Sequence, residues 1–366
     1  MKTGLLWAVV LAACANGAYA AESGVTLYGI VDAGIGSTHV SGPNGAKSSV
    51  TGVISGGFTD SLFGIKGQEK LTDDLSAIFQ LESLFDVNTG SLSDKDNLFS
   101  NSAWVGLNSE HLGELRLGRQ HTIAQQFGSQ VEIASWKEMA MGSTLKASDN
   151  YRVNNAVNYV SPSLSGFSFG AGYAFDISGS QINGRKSPMV SAALQYSQGP
   201  LLLVATWDKT YLSDTVLPNG KNPEAWQLGA SYDFQVAKVS AAWSRMKNGY
   251  AGLDGGDPDG LGLGLGAAEF ANGGHLDAYL LGVAVPVGAH GTVLAQWSFV
   301  QPHWHWQDGE KAKSGQVATL GYLYSLSPRT SLYAMAGLAS RYSLDEQVVQ
   351  GQGTTTRYMA GVTHRF

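Results

Sequence analysis

Thr355-Thr356-Arg357-Tyr358-Met359-Ala360-Gly361-Val362-Thr363-His364-Arg365-Phe366 ends the chain with nothing after the Phe, and its pattern decides how the remainder is read. Tyr358, Ala360, Val362 and Phe366 share one parity, and Arg357, Gly361, Thr363 and Arg365 the other. One face of an extended strand is then largely apolar and the opposite face polar or small. Such a strand needs lipid or a core on one side and water on the other. An aromatic that ends the chain inside a strand suits a sheet that closes on its first strand, because closure removes the unpaired edge. The first strand is therefore expected near the N-terminus. His364 interrupts the apolar set, as an amphipathic ring at a water boundary can.

The same period of two recurs upstream. Leu27, Gly29, Val31, Ala33 and Ile35 alternate with Thr26, Tyr28, Ile30 and Asp32, which turns the Asp32 carboxylate away from Leu27 and Val31. Phe63 and Ile65 lie opposite Lys66, and Ala77, Phe79 and Leu81 opposite Gln80 and Glu82. Short polar turns are expected at 69–74, 110–113, 161–166, 198–200, 235–237, 286–291 and 325–329. Longer Gly- and Asp-rich connections alternate with them near 41–52, 86–97, 121–151, 178–187, 213–224, 249–275, 302–314 and 341–354. Seven turns and eight long connections imply sixteen antiparallel strands, an even number that brings both ends to the same side. Short turns at one end and long loops at the other are the pattern of an outer-membrane barrel, with the short turns periplasmic. A barrel of that size encloses water rather than a packed core. A large soluble sandwich or propeller is the competing fold; it predicts no such difference between the two ends, and no domain-scale repeat is visible.

Composition agrees with the barrel. Of 366 residues 43% are hydrophobic and only 14% charged, against about 25% charged in an average soluble protein. Beyond the N-terminus no run approaches the roughly 20 apolar residues of a spanning helix. At the N-terminus, Lys2, the apolar stretch 5–13 and Ala18-Tyr19-Ala20 have the order of a secretory signal, so residues 1–20 are expected to be removed and 21–366 to form the barrel. Leu11-Ala12-Ala13-Cys14 also fits a bacterial lipid-attachment pattern, the rival reading of this segment. Cys14 is the only cysteine, so cleavage at Ala20 leaves none and stability must come from hydrogen-bonded sheet. Loss of Lys2 takes the formal net charge from −6 to −7, too modest an imbalance to point to nucleic acid.

Several segments together carry a family resemblance. Thr26-Leu27-Tyr28-Gly29-Ile30-Val31-Asp32-Ala33-Gly34, Phe63-Gly64-Ile65-Lys66-Gly67-Gln68-Glu69, Ile78-Phe79-Gln80-Leu81-Glu82, Val105-Gly106-Leu107, Leu117-Gly118-Arg119-Gln120, Arg152-Val153-Asn154-Asn155-Ala156-Val157 and the terminal His364-Arg365-Phe366 occur in order along the whole mature chain. This set resembles the trimeric general porins of β-proteobacteria. The resemblance implies a homotrimer in the bacterial outer membrane, a third long loop folded into the lumen, and a water-filled channel for passive diffusion of small hydrophilic solutes and ions. It implies no cofactor, and a terminal Phe366 strand read by the barrel-insertion machinery. The family's pore usually sets wall arginines against acidic groups on the third loop. Arg152 is retained, but Leu62 and Asn101 stand where the other two arginines are usual, which argues for weak selectivity.

The residues expected to line the constriction are Lys66, Glu82, Arg116, Arg119 and Arg152 on the wall, with Glu132, Glu138 and Asp149 on the third loop, where Trp136, Lys137 and Lys146 also lie. A narrow point lined by both signs creates a transverse field that orients polar solutes; the competing reading of the loop charges is a solvated surface. Arg116 joins Glu114 opposite Leu115 and Leu117, whereas simple parity sends Arg119 outward unless a bulge turns it in. Pro302-His303-Trp304-His305-Trp306 reads as an exposed loop tip rather than a metal site, since no acidic or Cys partner lies at metal-like spacing. Asp254-Gly255-Gly256-Asp257-Pro258-Asp259 lacks the downstream Glu of an EF-hand. A barrel enzyme is a competing class, but it needs His with Ser or Asp converging at one point, and spacing alone supports no such arrangement. A substrate-specific channel and an adhesin with a plugged lumen are the others, and bilayer conductance separates them.

Overall fold

The computed structural model describes residues 23–41, 47–133, 152–177, 187–212, 221–248, 273–303, 305, 311, 313–340 and 354–366. The leader, Glu138, Asp149 and the acidic stretch 254–259 lie outside the described residues. In chain order the strands are β1 (Gly24–Ser41), β2 (Lys47–Ser55), β3 (Leu62–Lys70), β4 (Leu75–Leu84), β5 (Ser102–Ser109), β6 (Gly113–His121), β7 (Arg152–Val160), β8 (Phe167–Ala174) and β9 (Met189–Gln198). They continue as β10 (Leu201–Thr210), β11 (Glu224–Asp233), β12 (Lys238–Lys247), β13 (His275–Val287), β14 (Gly291–His303), β15 (Gly315–Ser325), β16 (Thr330–Ser340) and β17 (Thr354–Arg365). Among the described residues, one helix, α1 (Ile123–Gly128), followed by a single 3-10 turn (Ser129–Val131), interrupts them. No helix among the described residues is long and apolar enough to cross a membrane.

Neighbouring strands pair antiparallel around a closed sheet. β1 is 18 residues long: its first part pairs with β3, from Gly24 with Gln68 to Ile30 with Leu62, and its second part with β2, from Ala33 with Ser55 to Ser41 with Lys47. β2 and β3 are thus two halves of one wall strand broken at 56–61, and the barrel has sixteen strands. The expected long connection at 41–52 is therefore corrected, since residues 47–55 are strand. β14 likewise runs through Pro302 and His303, so those two are strand and not a loop tip.

The last strand closes the ring. β17 pairs with β1 from Ile30 with Arg365 to Ser41 with Thr354, and the ladder extends to the final residue through Gly29 N–H to Phe366 O (3.2 Å) and Phe366 N–H to Gly29 O (3.1 Å). The Phe366 ring lies over Gly29, where any Cβ would collide with it. The pleat sorts side chains as the terminal pattern predicts: Tyr358 and Val362 are 56% and 42% exposed on the outer face, while Arg357 and Thr363 are buried on the inner one. In β1, Leu27 (65%) and Ile35 (68%) face out and Asp32 (0%) faces in. Apolar outside and polar inside is the arrangement of a barrel in lipid, since only a closed sheet satisfies every backbone group there.

Candidate functional site

The inner wall is narrowed by two segments that leave the sheet. The first follows β6, where the Thr122 hydroxyl caps α1 by accepting from Gln125 N–H (3.1 Å). Ile123, Phe127, Val131 and Ile133 are buried against the inner face of β8 to β14. Glycines make the room: a Cβ at Gly170 would stand 2.8 Å from Ile123 Cγ2, one at Gly229 2.9 Å from Val131 Cγ1, and one at Gly282 3.2 Å from Ile133 Cβ. Polar anchors fix the register of this segment. Ala124 N–H donates to Ser191 Oγ (2.8 Å), Gln227 Nε2 to Gly128 O (2.8 Å), and Ile133 N–H to Gln296 Oε1 (2.9 Å). Burial of each large apolar side chain contributes roughly 1.5–3 kcal/mol, so residues 122–133, the described part of the third loop, lie inside the barrel as a packed element. Val131 and Ile133 are both buried, and Glu132 between them is half-buried.

The second inward segment is the break at 56–61. Phe58 is buried against Tyr333 (ring centroids 5.9 Å), in the same apolar cluster as Ile133 and Met359. Asp32, buried beneath it, accepts from Tyr333 Oη–H (2.7 Å) and Phe58 N–H (3.3 Å). A Gly-Gly-Phe in a Ser- and Thr-rich stretch gives no periodicity signal, so this segment is absent from the expectations above.

Half the ring away from the loop-covered wall, β3 to β6 present a charged surface. Tyr28, Gly64 and Glu82 lie side by side in register on β1, β3 and β4. Gly64 has no side chain to separate its neighbours, so Tyr28 Oη–H reaches across it to Glu82 Oε1 (2.7 Å). Asn101 Nδ2 donates to Glu82 Oε2 (2.7 Å). The buried Glu82 carboxylate is thus held by two neutral donors, and among the described residues no cationic side chain pairs with it. Lys66 stands with its ammonium 5.1 Å from the Tyr28 ring centroid. Arg116 pairs with Glu114 and stacks over Trp104, 4.8 Å from its centroid.

Arg119 and Arg152 occupy the long-loop end of β6 and β7. Arg119 pairs with Ala103, on the face of Val105 and Leu117. It donates to Ser100 O (2.8 Å) and Asn154 Oδ1 (2.7 Å). An irregularity is present, but the extra residue is in β7, between Val153 and Ala156, where Asn155 has a φ of 54°. Arg152 lies opposite His121 across the same pair. Arg357, buried and donating from Nε to Thr38 Oγ1 (2.9 Å), is a further inner-face cation that parity marked as polar without assigning it a role.

Comparison with known proteins places this geometry. A family model described as Gram-negative porin matches residues 8–343. An outer membrane porin protein of Bordetella pertussis is 34% identical, with 100% of both chains covered. Outer membrane porin protein 32 of Delftia acidovorans is 30% identical over the same full coverage. Among solved structures, the anion-selective porin from Comamonas acidovorans superposes with a TM-score of 0.71 at 25% identity, covering 94% of this chain and 100% of that one.

Proposed function

The chain belongs to the Gram-negative porin family and is an outer-membrane channel, and from that premise we propose that its constriction carries both signs of charge and selects weakly between ions. The observation that carries this reading is Glu82, whose carboxylate is held by Tyr28 and Asn101 instead of an arginine. Lys66, Arg116 and Arg152 supply the positive side, without Arg119, whose parity is that of the outward Leu117; Glu82 and Glu132 supply the negative side, to which Glu138 and Asp149, outside the described residues, are assigned by the family resemblance alone. The field between them orients polar solutes without strongly excluding either sign. The Comamonas relative is anion-selective; Leu62 and Asn101, standing where arginines are usual, make this chain less so.

The functional unit in this reading is a homotrimer in outer-membrane lipid, made after removal of residues 1–20 and inserted by machinery that reads the Phe366 strand. The channel passes small hydrophilic solutes by passive diffusion. Single-channel conductance in a planar bilayer, with reversal potentials in a KCl gradient, tests the proposal. Ohmic channels with a small reversal potential support it; a barrel without conductance overturns it.

A further inference from the structure

On the outer face of β12 to β14, at the long-loop end, a polar cluster sits one pleat beyond the aromatic side chains Trp243 and Tyr279. The β13–β14 register places His275 directly opposite His303, and Asp277 lies on the same face, opposite Arg245 of β12. The two imidazoles stack with centroids 4.6 Å apart at 15°. His303 Nε2 is 3.5 Å from Asp277 Oδ2, and one potential ligand atom from each of the three residues lies within 4.8 Å of the others. In sequence His303 has no acidic partner at metal-like spacing. The cross-strand register supplies one, from a strand 26 residues upstream of it in the chain.

The carboxylate is prepared for one further ligand. Asp277 Oδ1 accepts from Arg245 Nε (2.8 Å) and Trp243 Nε1 (3.1 Å). Oδ2 accepts from Arg245 Nη2 (2.9 Å). An ionised carboxylate has about four lone-pair sites, so among the described residues one is unused. It belongs to Oδ2, the oxygen that faces His303 at a distance too long for a good hydrogen bond. Arg245 and Trp243 therefore fix the orientation of Asp277 as second-layer partners of metal-binding carboxylates do.

We propose that His275, Asp277 and His303 bind a borderline divalent transition-metal ion, with Zn²⁺ as the probe, completed by water in the fourth position. Two imidazoles and one carboxylate form a donor set suited to zinc, whereas calcium and magnesium require more oxygen ligands. Ligand bonds of about 2.0–2.2 Å require the three donors to close by side-chain rotation, which the exposed ring of His303 at the rim allows. Lys247, opposite His275, and Arg245 add positive charge nearby, so affinity falls in the micromolar range rather than that of a structural zinc site. The bound ion joins the strand ends from which the connections 248–274 and 304–314 leave. This site is independent of the conduction pathway, since it lies on the opposite face of the sheet from the lumen.

Calorimetric titration of ZnCl₂ into the folded full-length protein in detergent tests the assignment, with heat-modifiable gel mobility as the check on folding. One Zn²⁺ per protomer is expected, with binding abolished by His275→Ala or His303→Ala and weakened roughly ten- to a hundredfold by Arg245→Gln through loss of carboxylate orientation. His305→Ala is expected to bind as the parent does. Retention of parental affinity in folded His275→Ala, or loss in His305→Ala with retention in His275→Ala, overturns the site. Cu²⁺ bound to the unmutated protein provides a second reading: an electron paramagnetic resonance spectrum with hyperfine coupling to two nitrogens supports it, and a spectrum without nitrogen coupling refutes it.

Discussion

From β8 to β14 the inner wall is built of glycines and small side chains that receive Ile123, Phe127, Val131 and Ile133, whereas from β3 to β6 it carries Glu82 hydrogen-bonded to Tyr28, Lys66 over the Tyr28 ring and Arg116 over Trp104. Both walls use glycine, to different ends. Gly229 and Gly282 admit a packed loop, so that the width of the channel depends on shape complementarity. Gly64 admits a hydrogen bond between the residues on either side, so that an inner-face carboxylate is held by neutral donors, on which the proposed selectivity rests. In the proposed reading, width and selectivity are therefore separable properties of this barrel, set on opposite sides of one lumen.

The largest expected effect removes both walls together. Deleting Phe366, or Phe366→Ala, takes away the ring over Gly29, and the deletion also takes away the two backbone bonds that end the β1–β17 ladder. An unclosed edge in lipid leaves backbone groups unsatisfied at several kcal/mol each. The variant should be missing from the outer membrane by heat-modifiable gel analysis, and parental surface levels would show that the seam is elsewhere.

A change on the packed wall alone should alter width and leave charge. Gly229→Leu places a side chain where Val131 sits, and overpacking of this kind costs about 1–3 kcal/mol, comparable with the burial of one loop side chain. Single-channel conductance should rise and become noisier as the loop leaves the wall, with the ion preference little changed. An unaltered conductance would mean that the loop is held by its polar anchors alone.

Changes on the charged wall should do the reverse. An elementary charge seen at about 4 Å through water is worth about 1 kcal/mol, so Glu82→Gln should move the permeability ratio toward anions by up to about fivefold at near-constant conductance. Asn101→Arg and Leu62→Arg should move it in the same direction. The smallest effect is that of salt. The Debye length falls from about 10 Å at 0.1 M to about 3 Å at 1 M, so the difference between Glu82→Gln and the parent should shrink across that range, and a difference independent of salt would point to a steric cause.

The sheet was legible in the chain to the extent that its two faces differ in polarity. Thr355–Phe366 and the strand beginning at Val25 alternate strongly, and their orientation and mutual pairing follow from that alternation. β2 did not read as strand because Lys47–Ser55 is rich in Ser and Thr, small side chains that turns also favour. The break at 56–61 was invisible for a related reason: a segment that tucks inward needs Gly and one buried Phe58, not a period. Of the site, parity sets Lys66, Glu82 and Arg116 on the face opposite their apolar neighbours. It could not show that Tyr28 and Asn101 hold Glu82, nor that Asp277 meets His303, since both depend on cross-strand register. Register is set by the ladder and is not written in any one segment.

The reversal potential of the parent and of Arg152→Ala, measured in planar bilayers across a tenfold KCl gradient at low salt, tests most directly whether a mixed-charge eyelet governs this channel. A small potential for the parent and a clear shift toward cations in Arg152→Ala are expected. A parent that is strongly anion-selective, and remains so in Arg152→Ala, would contradict the account and show that other cations line the narrowest point.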